Sequence, residues 1–301
     1  MARRDRHVRR LRISYQAGLW AMLAPYLVGT LALVALPALM SAGLAFTTYD
    51  TLNSPLFTGF QNFRLLASDQ FTGVALRNTL AFIIVAVPLR ILAALAIALL
   101  LERRRRFGDG YRASVYVPTV IPDVAYAIIW LWIFNPVYGP VNLVLGALGL
   151  PTPGWVADGA TATYPILVMS LFQIGEGFII FLAGLRGIPR EYYDAGSVDG
   201  AGGLTAFRFL TLPLLMPWLV LLTFRDVIVV FQYTFTPSLV MTGGGPYYAT
   251  FFVPLQVYEE AFDRFRFGTG SALMLMTFVL SGLLIVGLYL IFRARGYTGD
   301  T

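Results

Sequence analysis

The sequence predicts an all-α, polytopic membrane protein with six transmembrane helices, and three observations predict it. Hydrophobic residues make up 57% of the chain and charged residues only 13%, too apolar for an ordinary soluble domain. Apolar runs long enough to cross a bilayer as helices recur at 18–45, 77–101, 111–134, 164–185, 209–240 and 269–292. The basic residues, all arginine with no lysine, also segregate. Arg3, Arg4, Arg6, Arg9, Arg10 and Arg12 precede the first run, and Arg103 to Arg106 and Arg112 separate the second from the third. Arg186, Arg190 and Arg208 lie between the fourth and fifth, and Arg293 and Arg295 follow the sixth. The intervening loops hold only Arg64, Arg77, Arg264 and Arg266. Positive-inside bias therefore places both termini in the cytoplasm. The same bias accounts for the net charge of +6, so no nucleic-acid partner is expected.

The runs follow one another with recognisable punctuation. A basic tail over 1–17 leads to Trp20 and Tyr26, placed as interface anchors. This first run is too long for a signal peptide and five more follow, so an uncleaved anchor is expected. Segment 46–76 is polar and aromatic, broken by Asn53, Pro55 and Gly59. The second run stops at Glu102 and the four arginines. The third carries Pro118 and Pro122, each removing a helix hydrogen bond, with Asp123 at the second kink. Such kinks persist in a membrane only where neighbours satisfy the freed carbonyls. Trp130 and Trp132 then precede the turn FNPVYGP and a Gly- and Pro-rich loop over 135–163.

The fourth run contains Gly175, Gly177 and Gly184, which allow close helix approach. The fifth opens at TLPLLMP, with Pro213 tolerated near a helix start, and closes in MTGGGP. There Gly243, Gly244 and Gly245, followed by Pro246, permit backbone angles closed to other residues. A short amphipathic helix is expected within 247–268. Residues 1–301 read as a single membrane domain, without a strong repeat or a soluble module.

Absences narrow the chemistry. The chain has no cysteine, which removes disulfides, thiol catalysis and thiolate metal sites. His7, in the basic tail, is the only histidine, and no metal site or catalytic constellation emerges. Without lysine there is no Walker A loop, so any ATP would be bound by another chain.

The polar segment 188–217, IPREYYDAGSVDGAGGLTAFRFLTLPLLMP, is the strongest pointer to function. Pro189 favours a helix start, and Glu191 and Asp194 complement the positive end of its dipole. Gly200 interrupts the run before a second short helix carrying Arg208. One reading is an interfacial loop that merely connects two helices; the other is a docking element.

The segment resembles the cytoplasmic EAA loop of ABC-importer permeases, whose pattern is E-A-A, three residues, G, nine residues, I-x-L-P. Here stand Asp194, Ala195 and Gly196, then Gly200, then Leu210, Thr211, Leu212 and Pro213. Asp keeps the charge of Glu, while Gly in place of the second Ala loosens the helix by about 1 kcal/mol. NTLAFIIVAVPL, VPTVIPDV with WLWIFNPVYGPVN, FLAGLRGIP, and FQYTF with MTGGGP are similar to segments of the carbohydrate permeases of this family, those for maltose and glycerol 3-phosphate.

That resemblance implies a type I importer permease fold and a place in the inner membrane of a prokaryote. It implies two ATPase subunits holding ATP and Mg, a second permease subunit that is a distinct paralogue, and an extracytoplasmic binding protein. It implies no enzymatic role for the chain itself and a sugar or polyol as cargo, carried by alternating access. Loop 186–208 would then couple to an ATPase groove through Glu191, Asp194, Ala195, Gly200 and Arg208. The turn Gly243, Gly244, Gly245 and Pro246 would face the binding protein.

Polar residues at bilayer depth are costly and face a cavity or a partner. Gln173 and Glu176, near the middle of the fourth run and three residues apart, fall on one helical face. Arg225, Asp226 and Gln232 lie at mid-depth in the antiparallel fifth span, so Glu176 and Arg225 can meet. One reading is a translocation pathway in which Gln173, Glu176, Arg225 and Gln232 bond sugar hydroxyls. Phe172, Phe178, Phe231, Tyr233 and Phe235 then offer flat surface. The other reading is an internal Glu–Arg clamp. Arg225, Asp226 and Asp123 depart from the family's apolar residues; Arg225 permits an anionic group, and Arg90 can snorkel or pair. An ion-coupled secondary transporter, with buried carboxylates as ion sites, is the alternative.

Overall fold

The computed structural model describes residues 2–103, 109–294 and 296, with side chains described for 15–102, 110–294 and 296. The N-terminal arginines and His7, Arg103 to Arg106 and Arg295 lie outside those described side chains.

All six apolar runs are helical. Four helices are long and apolar enough to cross a membrane alone: Tyr15–Leu44, Gln70–Glu102, Gly203–Thr242 and Phe267–Ala294. The first comprises α1 (Ala2–Thr30) and α2 (Leu36–Leu44), joined through one π turn. Its long apolar stretch is exposed along its length, a surface suited to lipid. Only its far end packs, with Ser41 Oγ donating to Ser271 Oγ at 3.3 Å. A two-residue hairpin, β1 (Thr47–Thr48) against β2 (Leu56–Phe57), and α3 (Gln61–Ser68) then lead to α4 (Gln70–Arg103).

The third span is broken. Helix α5 (Asp109–Val120) meets α6 (Asp123–Ile133) at an angle of 100°. Pro122 adopts the extended ψ of 134°, and α6 starts immediately after it. Pro118, in contrast, stays inside α5. Beyond α7 (Pro140–Ala147), the fourth span is also broken: α8 (Thr163–Phe172) and α9 (Gly175–Arg186) differ in direction by 42°. The sequence predicts one helical face for Gln173 and Glu176, but the interruption at Gln173 separates them, and they flank the break.

Helix α10 (Arg190–Val198) follows, then α11 (Gly203–Ala206), which runs through a π turn into α12 (Leu212–Tyr233). The fifth span thus begins earlier than the apolar run indicates. Pro213 offers no N–H, and the widened turn places the Leu212 N–H on the Phe207 carbonyl instead. Helices α13 (Phe235–Pro237), α14 (Val253–Tyr258) and α15 (Phe267–Ala294) complete the chain. Helix α14 and the π turn after it supply the short helix expected within 247–268.

Helix α4 packs along α9 and α12 around buried Phe178, Phe181, Leu215, Leu222 and Val230. Small residues make this approach, and that of α5 to α9, possible. A Cβ on Gly175 would sit 2.9 Å from Tyr116 Cα, and one on Gly184 would sit 2.8 Å from Trp218 Cδ1. Gly177 faces Ala94, where a Cβ would meet its methyl at 3.5 Å.

The backbone opposite Gly175 cannot yield as a flexible side chain would. Gly175→Ala is therefore expected to lower stability by about 1–3 kcal/mol through overpacking. Gly282→Ala, with nothing within 4 Å of the added carbon, is expected to leave stability unchanged or slightly raised. Melting of both variants in nanodiscs checks this, and equal midpoints would contradict it.

Candidate functional site

Arg90 stands near the middle of α4 and is 3% exposed. A guanidinium at that depth is costly unless its donors are met. Its Nε donates to Asp226 Oδ2 at 3.0 Å, Nη1 donates to the Ser170 carbonyl, and Nη2 donates to the Gln173 carbonyl at 3.1 Å. Those carbonyls belong to the last turn of α8, where a helix leaves acceptors without partners. The arginine and the break in the fourth span therefore complete each other.

Charge alternates outward from there. Asp226, buried on α12, accepts from Arg225 Nη1 at 2.9 Å through its other oxygen. Arg225 Nη2 pairs in turn with the Glu176 carboxylate, in the first turn of α9. Two guanidiniums and two carboxylates form one chain with no net charge. Glu176 and Arg225 do meet, as their depths in antiparallel spans predict.

This chain borders a cavity of about 320 Å³. Gln173, Glu176, Arg225, Gln232 and Tyr233 line it together, as the pathway reading expects. Thr119 and Asp123 join them from the broken third span. Phe235 does not; its ring packs at 5.4 Å from that of Tyr258, tilted by 50°. Phe178 and Phe231 are buried in the core, and Phe172 lies 5.0 Å from Trp130. Of the five aromatics, Tyr233 alone lines this cavity. A helix turns about 100° per residue, so Phe178 and Phe235 point almost opposite to Glu176 and Tyr233, two positions before them.

At the α10 end, Glu191, Asp194 and Ala195 are exposed, with the spacing of one helical face. Val198, 86% exposed, extends that stripe, and Leu204, 82% exposed, stands beyond it; the sequence reading passed over both. Gly200 ends α10 with φ +80°. The Ala201 N–H bonds the Gly196 carbonyl at 2.8 Å and the Gly200 N–H bonds the Ser197 carbonyl at 3.1 Å, a complete Schellman stop. The Tyr193 hydroxyl lies 3.0 Å from Thr211 Oγ1, tying α10 to the base of the fifth span. Arg208 is exposed with its guanidinium 5.4 Å from the Phe209 ring, on a separate turn from the stripe.

At the opposite end, Gly243 and Gly244 adopt φ +58° and +82°. Gly244 is buried, and a Cβ there would meet Leu255 at 2.9 Å. Thr250 Oγ1 bonds the Gly245 carbonyl at 2.8 Å and lies 2.6 Å from Thr242 Oγ1, closing the turn from within. Tyr247, just past Pro246, is 95% exposed.

Residues 90–295 match the family described as binding-protein-dependent transport system inner membrane component. The chain belongs to that family. It is 32% identical over 283 residues to the probable ABC transporter permease protein YesP of Bacillus subtilis, covering 92% of this chain and 90% of that one. It is 30% identical to the trehalose/maltose transport system permease protein MalF of Thermococcus litoralis, covering 87% and 88%. Its fold is similar to a chain in the crystal structure of a bacterial alginate ABC transporter in complex with an alginate pentasaccharide-bound periplasmic protein. There the TM-score is 0.82 at 19% identity, over 96% of this chain and 97% of that one.

In this multi-pass inner-membrane permease, Arg90 is the residue whose role the sequence understated. Its visible signal was one charge within an otherwise apolar helix; its partners, distant in sequence, were not visible. Arg90→Met leaves Asp226 and Glu176 sharing the single cation of Arg225, one excess negative charge in the interior, and is expected to cost about 3–5 kcal/mol. Arg90→Met combined with Asp226→Leu leaves Glu176 and Arg225 as a neutral pair and is expected to recover part of that loss. Thermal unfolding of the purified permease checks both, and an equal loss in the single and double variants would contradict the pairing.

Proposed function

We propose that this chain is a permease subunit of an ATP-driven importer that carries a sugar or related polyol through the cavity lined from α4, the broken third span, α9 and α12. One observation carries the reading. The chain holds a short, firmly stopped helix, tethered to a transmembrane span, whose outward stripe has no partner among the described residues. Glu191, Asp194, Ala195 and Val198 are the surface that enters a groove on an ATPase subunit, with Gly200 setting where the helix ends and Arg208 flanking it. ATP and Mg belong to that partner. The names of the curated relatives support the transport reading and the class of cargo.

In this arrangement both termini and α10 face the cytoplasm, and a second, paralogous permease completes the pore above two ATPases. The closed turn of Gly243, Gly244, Gly245 and Pro246 acts as a firm base that presents Tyr247 to the binding protein. Gln173, Glu176, Arg225, Gln232 and Tyr233 line the route. Nucleotide shifts the pore only by binding its two states with different affinity, and α10 conveys that difference to α12 through Tyr193 and Thr211. An ion-coupled carrier would have no use for a tethered helix displayed to another chain.

Gly200→Val forces a side chain into the left-handed region, at a cost of roughly 1–2 kcal/mol, and disturbs the stop of α10. In proteoliposomes holding the whole importer, uptake per ATP hydrolysed is expected to fall by about tenfold, a coupling loss near 1.4 kcal/mol. Unchanged stoichiometry would contradict the coupling role.

A further inference from the structure

We infer that the pathway admits an uncharged polyhydroxylated cargo and rejects acidic sugars and phosphate esters, with Asp123 as the specificity-determining residue. The inference rests on the pathway reading above and concerns the charge of the cargo. Four features of the cavity would ordinarily draw an anion: the guanidiniums of Arg90 and Arg225, and the N-termini of the half-helices α6 and α9. Each is already answered by a carboxylate of this chain. Arg90 is held by Asp226, and Arg225 is held by Asp226 and Glu176. The first turn of α9 carries Glu176, and that of α6 carries Asp123.

The Glu176–Arg225–Asp226–Arg90 chain sums to zero, so Arg225, the residue that might have received an anion, has no charge to spare. Asp123 is then decisive. It lines the cavity, is exposed within it, and has no hydrogen bond or ion pair among the described residues. Only the partial positive end of α6 offsets it, so the wall stays net negative and repels an anion. A carboxylate accepts well from two neighbouring hydroxyls. Around it stand groups that also answer hydroxyls. Tyr233 Oη and Thr119 Oγ1 are buried without a partner, and the side-chain amides of Gln173 and Gln232 face the same space. A free carboxylate amid neutral donors and acceptors, with every cation neutralised, suits a ligand rich in hydroxyls and without charge.

The test uses the complete importer in proteoliposomes: both permeases, the ATPases and the cognate binding protein. A plant and starch hydrolysate is divided by anion exchange into a neutral and an acidic carbohydrate fraction, and each is offered as the probe. The expected result is ATPase stimulation and uptake with the neutral fraction only. Stimulation by the acidic fraction, or by neither, would overturn the inference. Asp123→Asn keeps size and shape, so it tests charge separately from folding. Its half-saturating concentration of the neutral fraction is expected to rise about tenfold, the loss of charge-assisted hydrogen bonds. An unchanged value would remove Asp123 from the role. Neutral uptake that continues without the ATPases would overturn the importer reading while supporting the inference about charge.

Discussion

A guanidinium placed at the centre of a membrane helix cannot lose its charge and cannot be left unpaired, and the bundle is organised around meeting that demand. Arg90 takes two carbonyls from the end of α8 and one carboxylate oxygen from α12. The first two acceptors exist only because the fourth span is interrupted. The third is a buried carboxylate that needs a second cation, and Arg225 supplies it. Arg225 then requires Glu176, which the start of α9 presents. One charge in α4 thereby fixes the break in one span, the rotation of another and the polar wall of a cavity.

The same arrangement joins rigidity to permeability. Core packing of α9 against α5 and α12 is close enough that Gly175 and Gly184 have no room for a Cβ. Interiors packed so tightly move as units between discrete arrangements and do not deform continuously. The polar wall borders an open space of about 320 Å³, where bonded charges stand beside the unpartnered hydroxyls of Thr119 and Tyr233. At the cytoplasm-facing end of the proposed orientation, Tyr193 and Thr211 link α10 to the span that carries Arg225 and Asp226. Force applied at α10 has a direct mechanical route to the cavity wall.

Much of this was legible in the sequence, for identifiable reasons. Hydropathy marks spans because the bilayer sets one length for all of them, and the Pro122 break shows because proline removes a donor wherever it stands. The Glu176–Arg225 pair was readable from depth alone. The break at Gln173 was not: no proline marks it, and what stabilises it is Arg90, more than eighty positions earlier in the chain. The aromatics were misplaced because proximity in sequence does not fix direction on a helix; two positions separate Tyr233 in the cavity from Phe235 on Tyr258. Gly196 shows propensity yielding to packing. Glycine weakens α10, yet a Cβ there would lie 2.9 Å from Leu210 Cδ1, where α10 rests on the base of the fifth span.

The central claim is that this cavity opens alternately to the two sides of the membrane under control of the ATPases. The absence of cysteine makes the chain a ready background for single-cysteine labelling. Cysteines placed at Gln173 and Gln232, in the assembled importer, can be probed with a membrane-impermeant maleimide added from either side. The account predicts labelling from the cytoplasmic side without nucleotide and from the opposite side in the vanadate-trapped state. Labelling from one side only, indifferent to nucleotide, would contradict it.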